Sequence, residues 1–470
     1  MFLKKASIVS VLALAVGVSS VSAVSAATAT KAANVQVMQS SYIVNGKAIN
    51  LRSIQVNGVK QVSLRDLSVK LGADLTVVSK GSYTVELNNH LVELKSGSKA
   101  IKVDGNSEEL STPVTFAQSS AYVNPQELAE ALGANYAEDA SGAIWIDANL
   151  LGNVSHVQWA DANRIIASQE TEDGRIDYLV NVQTGQYFKL LNVAEGSDLV
   201  VSPSGTLAAF TDVSGQVFLI DLNTRLSWKV SKDDSIKPEL VWAADSKSIY
   251  FLQGDKGTVI AKLDLATAEI KTILSDKVDY KSNLKVSTDG KVFTYAITKP
   301  GAVVADSNAP VDNDDVTIDM KGTEPQLFVY TVDPSIKDNK AVQLTTGTDD
   351  KVFIEASADG NNVYYVSVSE TADNATLVAV NKDKTTKTLF ADADIYEATF
   401  SHGKWTLLTA GANNGQSIIQ VDATTGAKTQ LYTVDESVSE IIVKDGAPVI
   451  IVKDGQVFVN TNGLWKPITR

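Results

Sequence analysis

Six polar side chains fall at one recurring place in this chain: His156, Asp198, Glu239, Asn283, Glu397 and Glu440, each three residues before the reference residue of a repeated phrase. The remaining copy has Phe353 there. The next residue in every copy is apolar: Val157, Leu199, Leu240, Leu284, Ile354, Ala398 and Ile441. Neighbours along a strand point to opposite sides, so the apolar set is expected to pack between sheets while the polar set gathers at the start of each innermost strand. Brought together, four carboxylates, an amide and an imidazole would raise one another's pKa or recruit a positive ion, and calcium suits such an oxygen-lined site. The competing reading is a water-filled channel that tolerates polar residues wherever strands reach it. Asp306, Asp312, Asp314 and Asp315 form a second acidic group. It is oxygen-rich enough to suggest calcium, but it lacks the alternating ligands, central glycine and terminal glutamate of an EF-hand loop, so a solvated loop is the alternative.

The phrase that carries these positions is an apolar strand, a tight polar turn and a second apolar strand. It appears as Val201-Ser-Pro-Ser-Gly-Thr-Leu-Ala-Ala-Phe210, Trp242 to Phe251, Val286 to Tyr295 and Ala356 to Tyr365. It recurs about every 42 residues, with reference residues Trp159, Val201, Trp242, Val286, Ala356, Phe400 and Val443. A period in this range with several short strands per unit marks a propeller blade, so seven blades are expected over residues 153–470. The end units lack a clean Asp-Gly turn, which leaves six blades as the other count. One interval is longer than the others, and its excess, about 300–325, holds the acidic group as an insertion on one face. Trp159, Trp242 and Trp405 fall on or beside core-facing positions and are read as blade packing.

The preceding segment has a different design. Asn45-Gly46 and Asn57-Gly58 sit between apolar runs, a type I′ hairpin signal. A helix is predicted over Ser63 to Ala73, with Ser63 as N-cap, Leu64, Leu67 and Leu71 on one face and Gly72 closing it. Val123 to Ala134 repeats the device, with Asn124 capping, Pro125 at the first helical position and Gly133 terminating, which reads as an internal duplication.

These strand, strand, helix units with their Leu-Gly-Ala endings, followed by the strand Ala143-Ile-Trp-Ile-Asp147, resemble the copper amine oxidase N-terminal-like domain, a small α+β stalk module of secreted bacterial proteins. The resemblance covers about residues 40–147. In that family the copper ligands and modified tyrosine belong to a separate catalytic domain, whose Asn-Tyr-Asp/Glu and His-x-His motifs are absent here. Asn135-Tyr136 is followed by Ala137, and the three histidines are His90, His156 and His402. Neither copper nor amine oxidation is therefore expected. The Ser-Pro-x-Gly and hydrophobic-Asp-x-x-Thr-Gly turns of residues 153–470 resemble TolB-like and WD40-like propellers. The fold class is thus mainly β, a duplicated α+β stalk followed by a propeller. His90 and His402 are read as exposed turn residues, His90 at a hairpin tip.

Composition narrows the function. Lys4 and Lys5, an apolar run from Ile8 to Val18 and Val24-Ser25-Ala26 read as a signal peptide over residues 1–26, cleaved before Ala27 and followed by a flexible leader over 27–39. With no cysteine there is no disulfide, thiol nucleophile or thiolate metal site. The formal net charge of -14 disfavours nucleic acid and anionic membranes. No G-x-S-x-G elbow, H-E-x-x-H, phosphate loop or Rossmann glycine pattern is present. The leading expectation is a monomeric, extracytoplasmic, non-enzymatic scaffold whose propeller binds an envelope protein or polysaccharide, without membrane insertion. The rival is a propeller-type glycan lyase, hydrolase or lactonase working through a cation in the acidic channel.

Overall fold

The computed structural model describes residues 35–139, 141–193, 196–304, 317–336 and 339–470. The signal segment and Asp306, Asp312, Asp314 and Asp315 lie outside these residues. Asn45 and Gly46 both take positive φ, 48° and 69°, as do Asn57 and Gly58, 51° and 83°, which is the type I′ geometry read from the sequence. The hairpins join Met38–Val44, Lys47–Val56 and Val59–Ser63 antiparallel. Helix α1, Leu64–Leu71, starts where the Ser63 side chain accepts the Asp66 N–H and ends at left-handed Gly72. Helix α2, Pro125–Ala131, is capped by Asn124.

The two strand–helix units share one seven-stranded sheet, where Tyr122 pairs with Ser63 and Ile43 pairs in parallel with Trp145. The duplication breaks after the helices. Asp74–Ser79 begins a separate five-stranded meander, whereas Asn135–Glu138 returns to the first sheet. Most of these strands and both helices close on one core that includes Leu51, Leu67, Val85, Leu128 and Ile146.

Among the described residues, seven four-stranded antiparallel sheets follow, each built from consecutive strands except the fourth, whose second and third strands are separated by an added ribbon. Their innermost strands are His156–Trp159, Val200–Val201, Glu239–Trp242, Lys281–Val286, Asp350–Ala356, Ile395–Ser401 and Val438–Ile442. These are the blades of a seven-bladed propeller, so the higher of the two counts is the observed one. The apolar column Val157, Leu199, Leu240, Leu284, Ile354, Ala398 and Ile441 is buried throughout, 0–7% exposed, as alternation requires. An added ribbon, Ala302–Val304 paired with Thr317–Asp319, interrupts the fourth blade where the insertion was expected.

Among the described residues, no strand from one end of the propeller completes the sheet of the other. The first and seventh blades instead share a core of Val157, Trp159, Ile442, Ile450 and Val459. Leu151 and Val154, from the segment joining stalk to propeller, are part of it, and Arg470 N–H donates to the Leu151 carbonyl at 2.8 Å. The joining segment is thus a piece of the ring closure.

Three neighbouring blades carry a clasp that strand patterning did not reveal. Lys237, Lys281 and Lys351 each stand five residues before the reference residue, and their side chains are fully buried. Each ammonium pairs with an aspartate of the inter-blade connection: Asp233 at 3.0 Å, Asp276 at 2.7 Å and Asp349 at 3.0 Å. Each also lies over an aromatic ring of the adjacent strand, Phe251, Tyr295 or Tyr365. Lys237 and Lys281 further donate to carbonyls of the preceding blade, Gly215 at 2.9 Å and Thr258 at 2.8 Å, stitching blade to blade.

Candidate functional site

Four of the six aligned polar residues, His156, Glu239, Glu397 and Glu440, stand on the innermost strands and are linked by their contacts in two groups. The first joins the sixth, seventh and first blades. Glu397 and Glu440 each follow a β-bulge in their strands. A bulge adds a residue to one strand and re-aims the side chains beside it. Burial pushes Glu397 up to about 7; burial and then the nearby Glu397 charge push Glu440 up to about 7. His156 Nδ1 stands 3.8 Å from Glu440 Oε1. The outcome is a pair of carboxyls poised near neutrality, with an imidazole beside one of them.

The second group joins the third, fourth and fifth blades. Glu239 Oε1 accepts the Leu284 N–H at 2.7 Å. Its carboxyl is raised by burial, against the opposing pull of Lys285 and two backbone N–H groups. Lys285 Nζ in turn pairs with Glu355 Oε1 at 2.8 Å. Lys285 and Glu355 are channel residues the aligned column missed. They lie one residue before the reference positions, on the same strand face two residues further along, and reading that second column would have found them. Gln158, in the same column, donates to the Leu199 carbonyl at 2.6 Å and ties the first blade to the second. A cleft of about 440 Å³ borders this half, lined by Gln158, Glu239, Lys285 and Lys444 with Trp159 and Trp242.

The other two positions do different work. Asp198 is bound by Arg175, from the third strand of the first blade, at 2.5 Å, and Arg175 also holds the buried Asp177 at 3.0 Å. Asp198 is therefore engaged by its neighbouring blade. Asn283 is exposed and, like Phe353 in the next blade, has a left-handed backbone, φ 54° and 50°. Both occupy bulges, where strict alternation fails. Among the described residues no three His, Asp or Glu side chains are placed to hold a metal ion, and the contacts of the aligned residues link them in the two groups above.

The tryptophans read as packing are buried: Trp159 6%, Trp242 7% and Trp405 0% exposed. His402 is an exposed turn residue with φ 48°. His90 differs from expectation. Asn88-Asn89 make the hairpin tip, and His90 opens the next strand with Nδ1 2.9 Å from Asp104 Oδ2. That tip serves to dock the two modules: Asn88 Oδ1 accepts the Tyr187 N–H at 3.0 Å and Asn89 Oδ1 the Lys189 N–H at 2.9 Å, both on the outer edge strand of the first blade. Glu86 pairs with Arg225 of the second blade at 2.9 Å.

No curated protein sequence matches the chain. Among solved structures it is similar to the tricorn protease (TM-score 0.47, 11% identity, 91% of this chain and 46% of that one). A Mycobacterium tuberculosis puromycin-hydrolyzing peptidase gives TM-score 0.48 at 12% identity, over 68% of this chain and 53% of that one. TolB from Acinetobacter baumannii gives 0.36 at 13%, over 77% and 80%. The chain spans about half the length of the first two of these. Residues 43–144 match the family described as the copper amine oxidase N-terminal domain, and that domain stands here ahead of a seven-bladed β-propeller.

Proposed function

We propose that this is an extracytoplasmic scaffold protein of the cell envelope, not an enzyme, whose propeller receives a protein or polysaccharide partner. One observation carries the reading: most charged groups of the channel half around Glu239 are already engaged by the protein, Glu239 by the Leu284 N–H and Lys285 by Glu355. Pairing of this kind fixes a surface, and it leaves no nucleophile beside a free base in that half. The export signal read from Lys4 to Ala26 supports the location.

A second reading is favoured by Glu397 and Glu440 alone. Two carboxyls held near neutrality can donate and accept protons at ordinary pH, which glycan or ester cleavage requires. Incubating the purified protein with envelope polysaccharides and esters, with and without chelator, separates the two. Capture of a polymer or protein partner without product release is expected. Turnover that disappears in Glu397→Gln would replace the scaffold reading with the enzymatic one.

A further inference from the structure

Where the stalk meets the propeller, a cleft of about 920 Å³ runs between the first hairpin and α1 on one side and turns of the first and seventh blades on the other. Lys47 and Lys70 line it from the stalk and Lys466 from the outermost strand of the seventh blade. Among the described residues no acidic residue lines it, although the chain carries a formal charge of -14. None of the three lysines has a carboxylate partner within 4.0 Å among the described residues. Burial and the nearby Lys47 charge push the Lys466 ammonium below its usual range; it donates to the Gln183 carbonyl at 2.8 Å, but the like charges of Lys47 and Lys466 face one another with no carboxylate between them among the described residues. Asn460, 9% exposed, also lines the cleft, its Oδ1 held by the Gly463 N–H at 3.0 Å.

We propose that this cleft binds an anionic, polyhydroxylated chain, a glycan or polyol polymer whose carboxylate or phosphate groups sit between Lys47 and Lys466. The remaining wall, with Asn163, Thr184 and Asn462, supplies the amides and hydroxyls that hydroxyl-rich ligands hydrogen-bond. The volume lies in the range that holds an extended ligand of several units. Because stalk, first blade and seventh blade all contribute, a bound chain would bridge the module junction. This site is separate from the channel, and its test leaves the scaffold reading standing or falling on its own experiment.

Calorimetric titration of the full exported chain with oligogalacturonate, glycerol-phosphate oligomers and neutral maltooligosaccharide decides the matter. At least one anionic chain is expected to bind, more weakly as salt is added, while the neutral chain does not. The anionic chain preferred identifies carboxylate or phosphate as the recognised group. Lys47→Gln combined with Lys466→Gln should weaken binding about tenfold or more, as loss of two charge-assisted contacts implies, and the paired changes to Arg should retain it. Lys70→Gln serves as an independent variant should the double change disturb folding. Failure of both anionic chains to bind, equal binding by the neutral chain, indifference to the Gln changes, or tighter binding of a DNA oligonucleotide would each overturn the proposal.

Discussion

The indole N–H of Trp159 donates to the carbonyl of Ile442 at 3.4 Å, across the seam where the first blade meets the seventh. Trp242 makes the same contact to Val200 of the second blade at 2.8 Å. A reference tryptophan therefore reaches back to the innermost strand of the blade before it, and at the seam the contact helps close the ring. Trp159→Phe keeps most of the packing and leaves the Ile442 carbonyl without this donor. It should cost about 1–3 kcal/mol in urea unfolding. An unchanged midpoint would mean that the seam holds by apolar packing alone.

The buried lysines give a larger effect. Lys281→Met preserves the apolar stem but leaves Asp276 and the Thr258 carbonyl uncompensated. Breaking a buried pair by removing one partner costs about 3–5 kcal/mol, with the lower end expected because Asp276 is about a quarter exposed. Adding Asp276→Asn should recover part of the loss. A double variant no better than the single one would show that the carbonyl contacts, rather than the ion pair, dominate.

Glu397 and Glu440 make stability depend on pH. Their folded-state pKa, about 7, lies above the ordinary 4.5, so between these values the folded state holds more protons than the unfolded one. Their contribution therefore destabilises progressively as pH rises from about 4.5 to about 7, and the penalty is complete above that. Melting temperatures at pH 5 and pH 8 should show a wild-type drop that shrinks in the Glu397→Gln, Glu440→Gln double variant. Equal drops in both proteins would assign the pH dependence to other groups.

Fragments test the module boundary. Residues 40–147 contain a core of their own and should unfold cooperatively when expressed alone. A propeller beginning at residue 149 should be markedly more stable than one beginning at 156, which lacks Leu151 and Val154, because deleting buried apolar side chains costs about 2–5 kcal/mol each. Equal thermal stability of the two fragments would remove the joining segment from the ring closure.

What was legible in the sequence follows the range of the forces involved. Blade number, the I′ turns at Asn45 and Asn57 and the caps at Ser63 and Asn124 are set by residues a few positions apart. Alternation and turn chemistry therefore exposed them. The channel was half legible. The column through Glu239 was visible, but bulges at Asn283 and Phe353 broke the period, and Lys285 and Glu355 stood in a column not read. The Asn88 contact to Tyr187 spans 99 residues and carries no local signal, since an Asn-Asn turn looks the same whether it meets solvent or a neighbouring edge strand.

Because the ring, among the described residues, has no strand shared between its ends, its first and last blades meet through side-chain packing, the Trp159 bond to Ile442, the bonds of Lys444 to Ala160 and Lys466 to Gln183, and the bond that knits Arg470 to Leu151. Tension pulling the stalk away from the C-terminus would thus load a single seam, parting it bond by bond like a zip while the other six junctions carry almost none of the strain. Such a ring behaves mechanically as a clasped bracelet, with its fastening placed where the stalk is tethered.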